Sequence, residues 1–246
     1  RKAEVGSLMF TREYMCVPIS TGTSLFNPEY LDAAKNKDLV LKPLKREGYK
    51  YFVGVDPAIS TDGDYNVITV IEMDEEENKS IIYVDRAKNV QFRENIQKVK
   101  LIGQLFRPEV ILFETNTFAK SFTQELRQVA DLNVHDFNTT RRKKQEIILN
   151  LQMTLENNKM NFPYGNEESR RVTSTLVEEL SMFAITDKGK FEGIGAHDDM
   201  VMSLALANAA TYQASETFIL LDDLGLFDDV PSGSKNRNRN TIGLNF

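Results

Sequence analysis

Between Tyr51 and Ala87 three apolar runs follow one another with little chain between them. "YFVGVD" ends in Asp56, "NVITVIEM" is rich in β-branched residues, and "IIYVDRA" closes the series. The connections "PAISTDGDY" and "DEEENKS" carry the Pro, Gly, Asp and Ser residues that break regular structure. Connections this short join antiparallel neighbours, because a parallel crossover takes a dozen residues or more and usually a helix. The spacing therefore predicts an antiparallel three-stranded meander.

The pattern then changes. "QFRENIQKVKLIGQLF" (91–106) spaces its apolar residues at helical intervals, and Pro108 ends that helix. "EVILFETN" reads as a buried strand and "FAKSFTQELRQVA" as a helix. "NVHDF" is a short strand, and "TTRRKKQEIILNLQMTLENN" and "ESRRVTSTLVEELSMF" are helices. "AITDKGKFEGIG" reads as a β-hairpin around Asp187–Gly189, and a further helix starts at Asp198. Residues 1–50 lack periodicity and read as an arm with one short helix in "NPEYLDAAK". The chain after about Thr217 is acidic and then Ser/Asn/Arg-rich, the composition of a flexible tail. No repeat is present. The order βββ-α-β-α-β-α gives an α/β fold with a mixed sheet, antiparallel at first and parallel in its additions, flanked by helices. A ribonuclease-H-like core has this order.

At 246 residues and 41% hydrophobic the chain can bury a substantial core. It begins at Arg1 and is expected to be a piece of a longer protein. Its one cysteine, Cys16, excludes an internal disulfide framework and a Cys-rich zinc site, and points to a reducing, cytoplasmic setting. The uncharged run Met200–Ala214 is too short to span a membrane. The formal charge of −6 argues against a generic polyanion binder. The bases are clustered, however, at Lys42–Lys50, at Arg141–Lys144 and at Lys235–Arg239, so phosphate binding on one face stays open.

The acids carry the chemistry. Asp56 ends the first strand and Glu114 ends "EVILF". If these strands are parallel neighbours, about 4.8 Å apart, their carboxylates converge at one end of the sheet. Asp198 or Asp199, at a helix start, could supply a third. Packed carboxylates repel, so the cluster calls for cations, and oxygen donors suit Mg²⁺ or Mn²⁺. Two such ions about 3.5–4 Å apart would suit phosphodiester hydrolysis. Only two histidines exist, and neither a G-x-S-x-G elbow nor a P-loop appears. Each residue also has a plain structural role. Asp56 before Pro opens a turn, Asp198 and Asp199 suit a helix N-terminus, His197 suits packing or capping, and Asp64 suits a turn. The case for function is the joint placement of these acids.

"VGVDPAISTDGDYNVITVIE", "ILFETN" and "GAHDDMVMSLALANA", in this order and at these separations, resemble the nuclease domain of the large terminase subunit of tailed bacteriophages. The resemblance runs from about Tyr51 to Tyr212. "GSLMFTREYMCVP" resembles the segment that ends that family's ATPase domain. The resemblance implies a ribonuclease-H-like nuclease that cuts double-stranded viral DNA during genome packaging, with two Mg²⁺ or Mn²⁺ ions. It implies three parts: a connecting arm from an ATPase domain (1–50), the nuclease domain (51–215) and an acidic then flexible tail (216–246). It assigns catalysis and metal binding to Asp56, Glu114, Asp198 and Asp199, without choosing within the Asp pair, and adds Asp64 as a metal-site acid. The hairpin matches one near the family's active site. His197 stands as a supporting partner or a packing residue. Arg141, Arg142, Lys143 and Lys144 could hold DNA phosphates. Expected partners are DNA, the ATPase domain of the same protein, a portal and a small terminase subunit, in the host bacterial cytoplasm and with no membrane. The alternatives are another ribonuclease-H-like nuclease, such as a Holliday-junction resolvase or a transposase core, and a non-catalytic module docking on a portal or capsid.

Overall fold

The computed structural model describes residues 24–42, 44–57, 65–115, 123–127, 132–186, 188–194 and 197–214. The "FTREY" segment, Asp64, Asp187 and the tail from 216 lie outside the described residues.

The meander is present as β2 (Lys50–Asp56), β3 (Asn66–Met73) and β4 (Lys79–Ala87), each antiparallel to the next. β5 (Val110–Glu114) runs parallel to β2, and β6 (Val134–Phe137) parallel to β5. Two further strands extend the other edge. β7 (Met160–Pro163) lies parallel to β4, and β1 (Lys35–Asn36) parallel to β7. The sheet order is β1-β7-β4-β3-β2-β5-β6. The mixed sheet is as expected, but with seven strands where the sequence pattern shows five. β7 escapes the pattern because four residues, one of them proline, carry no visible alternation.

Helices cover both faces. Helix α2 (Phe92–Phe106) packs Ile96, Val99, Ile102 and Phe106 against Val53, Val55, Ile68 and Val70 on one face. The other face carries α3 (Arg141–Glu156), α4 (Glu167–Ser181) and α5 (Asp199–Ala214). A small hairpin, β8 (Phe183–Ile185) and β9 (Phe191–Gly193), joins α4 to the approach to α5.

Part of the arm is built into this core. Leu25, Phe26 and Leu31 are buried, the last in the short helix α1 (Pro28–Ala33). The Leu25 N–H donates to the Phe183 carbonyl at 2.8 Å, and the Phe162 N–H to the Ala34 carbonyl at 2.7 Å.

Helix α5 is apolar all round, because it lies between the sheet and α3, and every residue from Met200 to Thr211 is buried. It crosses β2 at Gly54, where a Cβ would collide with the Ser203 carbonyl oxygen and the Ala207 amide nitrogen. The Ser203 hydroxyl donates to the Gly54 carbonyl at 2.9 Å and meets the Thr69 hydroxyl at 2.9 Å. Glycine at 54 and small residues at 203 and 207 let the helix axis approach the strand closely. That approach fixes where the first turn of α5 falls relative to the end of β2.

Candidate metal centre

In the parallel pairing of β2 and β5, Val55 stands opposite Phe113. Asp56 and Glu114 are the next residue on each strand, and their carboxyl groups hydrogen-bond to one another. Burial first, then the charge of Glu114 and its hydrogen bond, then the charges of Asp199 and Asp198, push the Asp56 carboxyl well above the ordinary carboxylate range. Four of the five acids singled out in the sequence thus bear on one point. Among the described residues, no three acidic, imidazole or thiol groups already close into a ligand cage.

The Asp pair is divided in its contacts. Asp198 lies just before the helix, and its carbonyl accepts the Met202 N–H at 2.9 Å. Its side chain accepts from Lys144 Nζ at 2.9 Å. Asp199 is the first residue of α5. Its Oδ2 accepts the Tyr65 backbone N–H at 3.2 Å and lies 3.5 Å from Nδ1 of His197. The His197 ring stands edge-on to Tyr65, with centroids 5.1 Å apart. His197 therefore touches the site through Asp199 and Tyr65.

The helix cap comes from elsewhere. Glu179, on α4, accepts the Met200 N–H at 2.9 Å and also bonds the Val201 N–H. Its carboxylate pairs with Arg86 of β4 at 3.1 Å. Burial is the main cause that raises its carboxyl to about 7, with the Asp199 charge adding to it against the opposing bonds and Arg86. The Arg86 guanidinium lies 3.4 Å from the centroid of the Tyr65 ring. Glu179 was not among the expected site residues. Its signal is spacing: it follows Leu176 by three residues on the face of α4 that also buries Thr173 and Leu180. Arg86 and Tyr65 carry no comparable signal.

The basic turn of α3 is not uniform. Thr140 caps it, accepting the Lys143 N–H at 3.3 Å. Arg141 donates from Nη2 to the Lys188 and Gly189 carbonyls of the hairpin, at 2.9 Å each. Lys144 is turned to Asp198, whereas Arg142 and Lys143 are exposed. Gly189, at φ +66°, makes the tight hairpin turn in the left-handed region. Among the described residues, no helix is long and apolar enough to cross a membrane.

The mixed seven-stranded sheet with helices on both faces is a ribonuclease-H-like fold, and it carries paired carboxylates at the ends of two parallel strands and a third acid at a helix start. The family model of the terminase RNase H-like domain matches residues 53–210, and the chain belongs to that family. No curated protein matches the chain. Among solved structures, the large terminase nuclease from thermophilic phage G20c with bound magnesium is similar with a TM-score of 0.58 and 22% identity. It covers 77% of this chain and 98% of that one. The Thermus phage P74-26 large terminase nuclease domain has a TM-score of 0.52 and 21% identity, over 72% of this chain and 91% of that one. The HK97 bacteriophage large terminase has a TM-score of 0.56 and 10% identity. It covers 76% of this chain but 43% of its own.

Proposed function

We propose that this chain is a divalent-metal-dependent endonuclease that hydrolyses double-stranded DNA during viral genome packaging. The carrying observation is the hydrogen-bonded meeting of Asp56 and Glu114 at the ends of adjacent parallel strands, with the charges of Asp199 and Asp198 directed at Asp56. A half-buried centre of oxygen donors that already raises its own proton affinity fits a hard cation, which would take the proton's place. Mg²⁺ or Mn²⁺, as two ions, is the reading, in keeping with the magnesium of the phage G20c nuclease.

Asp56, Glu114 and Asp199 would hold the ions. The Asp199 charge bears on Asp56 more than that of Asp198 does, and Asp198 is engaged by Lys144. When bound, the ions supply Lewis acidity for activating water and for stabilising the leaving oxygen. The chain's own residues orient and exclude. The Tyr65 N–H fixes the Asp199 carboxylate, α5 fixes its backbone, and the buried apolar residues of β2 and β5 leave the carboxylates only partly exposed. Arg142 and Lys143 offer exposed cations for the DNA backbone without base readout. In this reading the nuclease is residues 51–215 together with the arm residues that pack into their core, from Ser24 through β1. The arm joins it to an ATPase domain of the same protein, with a portal and a small terminase subunit as partners in the host cytoplasm.

The test is cleavage of plasmid DNA with Mg²⁺ or Mn²⁺, with and without EDTA, for the wild type and Asp56→Ala. Cleavage is expected only in the metal-loaded wild type. Cutting that persists in EDTA and in the variant would defeat the proposal.

A further inference from the structure

Two contact routes run from Glu179 to Asp199. One is through backbone: the Glu179 carboxylate accepts the Met200 N–H at 2.9 Å, on the residue next to Asp199. The other is through side chains. Glu179 pairs with Arg86 at 3.1 Å, the Arg86 guanidinium lies over the Tyr65 ring at 3.4 Å from its centroid, and the Tyr65 N–H bonds Asp199 Oδ2 at 3.2 Å. Both start on α4: the first ends on the backbone beside Asp199, and the second passes through β4 and the residue before β3 to the Asp199 carboxylate. Glu179 is buried to 4% exposure, and the Arg86 side chain is 24% exposed. Ordinary helix caps are local Ser, Thr, Asp or Asn side chains. Here the cap is a distant acid, which ties the position of α5's first turn to two other elements.

We infer that Glu179 and Arg86 are a positioning pair that sets both the backbone and the side-chain orientation of Asp199 for cation binding. The inference rests on the metal-centre reading above and adds residues that touch neither ion nor DNA. Neighbours that orient a ligand commonly change metal affinity by about 10–100-fold when removed.

Electrostatics and positioning predict opposite signs at Arg86. Removing its positive charge would by field alone tighten cation binding, whereas loss of positioning would weaken it. At Glu179 the contrast lies between two variants. Glu179→Gln and Glu179→Ala remove the same charge, but only the amide oxygen of Gln can still accept the Met200 N–H. The experiment is calorimetric titration of Mn²⁺ into wild type, Arg86→Met, Glu179→Gln and Glu179→Ala, well below each Tm, with plasmid cleavage alongside. Expected is about tenfold weaker Mn²⁺ binding in Arg86→Met and in Glu179→Ala, with Glu179→Gln recovering most of the loss. Unchanged or tighter binding in folded Arg86→Met overturns the inference, as does equal binding by the two Glu179 variants. A lowered Tm with wild-type Mn²⁺ affinity would mark the pair as merely structural and also overturns it. If Glu179→Ala does not fold, Arg86→Met decides. Wild type that binds no Mn²⁺ would instead remove the metal-centre reading itself.

Discussion

The two ends of helix α5 bury ionisable groups in opposite ways. At its start, Asp56, Glu114, Asp198 and Asp199 crowd like charges, and the Asp56 carboxyl is pushed well up. At its far end a single amine, Lys79, is buried beneath Tyr212. It donates to Asn208 Oδ1 at 3.0 Å and sits 4.3 Å from the Tyr212 ring centroid. Burial lowers the Lys79 amine to about 8. The lysine has its neutral acceptor and its aromatic face within the fold. Of the acids, Asp56 and Glu114 bond each other, and Asp198 has a lysine partner. The first end is therefore built to attract a cation, and the second to hold one that the chain already owns.

The sharpest break in this symmetry is Asp56→Ala. It should abolish most cleavage, by at least roughly a hundredfold, since losing a neighbour of a ligand alone costs 10–100-fold. It should also abolish the rise in Tm that Mn²⁺ gives the wild type through mass action. Gly54→Ala strikes the crossing that serves both ends. Its Cβ would meet backbone atoms, so overpacking should cost about 3 kcal/mol by denaturant unfolding and cleavage should fall with it.

Titration separates the ends by sign. Carboxyls with raised pKa values contribute stability at low pH that is lost as pH rises through the raised value. For Glu179 the window runs from 4.5 to about 7, and Asp56 acts in the same sense from 3.8 upward. Without metal, stability at the acid end should fall as pH rises there, and Mn²⁺ affinity should grow as the proton leaves. Lys79 is depressed, so the unfolded chain holds its proton longer. Stability should therefore rise with pH between about 8 and 10.5. Lys79→Met should erase that alkaline rise, on the order of 3 kcal/mol, while cleavage at neutral pH stays near wild type. Urea melts across the two pH windows read both slopes. The smallest effect expected is Arg142→Glu with Lys143→Glu, which should weaken cleavage and flatten its salt dependence while leaving Mn²⁺ binding near wild type. An unchanged salt slope would remove DNA contact from those residues.

The acid end was the more legible in the sequence. Asp56 and Glu114 show because each ends an apolar strand, and the Asp pair shows because it opens an apolar helix. Sheet order then brings them together, and three strands joined by short turns made that order readable. Glu179 was hidden beside Glu178 in "VEELS", where only one of the two adjacent acids faces inward. The Lys79 site was hidden for a different reason. A lysine after the acidic turn "DEEEN" reads as solvated, and only the packing of α5 over β4 buries it. Local pattern exposes residues that end elements. Residues whose role comes from a second element across the core carry almost no local mark.

The burial of Leu25, Phe26 and Leu31 bears on where this domain can be cut. A chain trimmed to start at Tyr51, where the strand pattern begins, would strip β1 from β7 and leave the Phe183 carbonyl without the Leu25 amide. It would uncover an oily seat beside the hairpin that leads to Asp198. Such a fragment should stick to itself before it cuts anything, and the workable boundary lies upstream of Ser24.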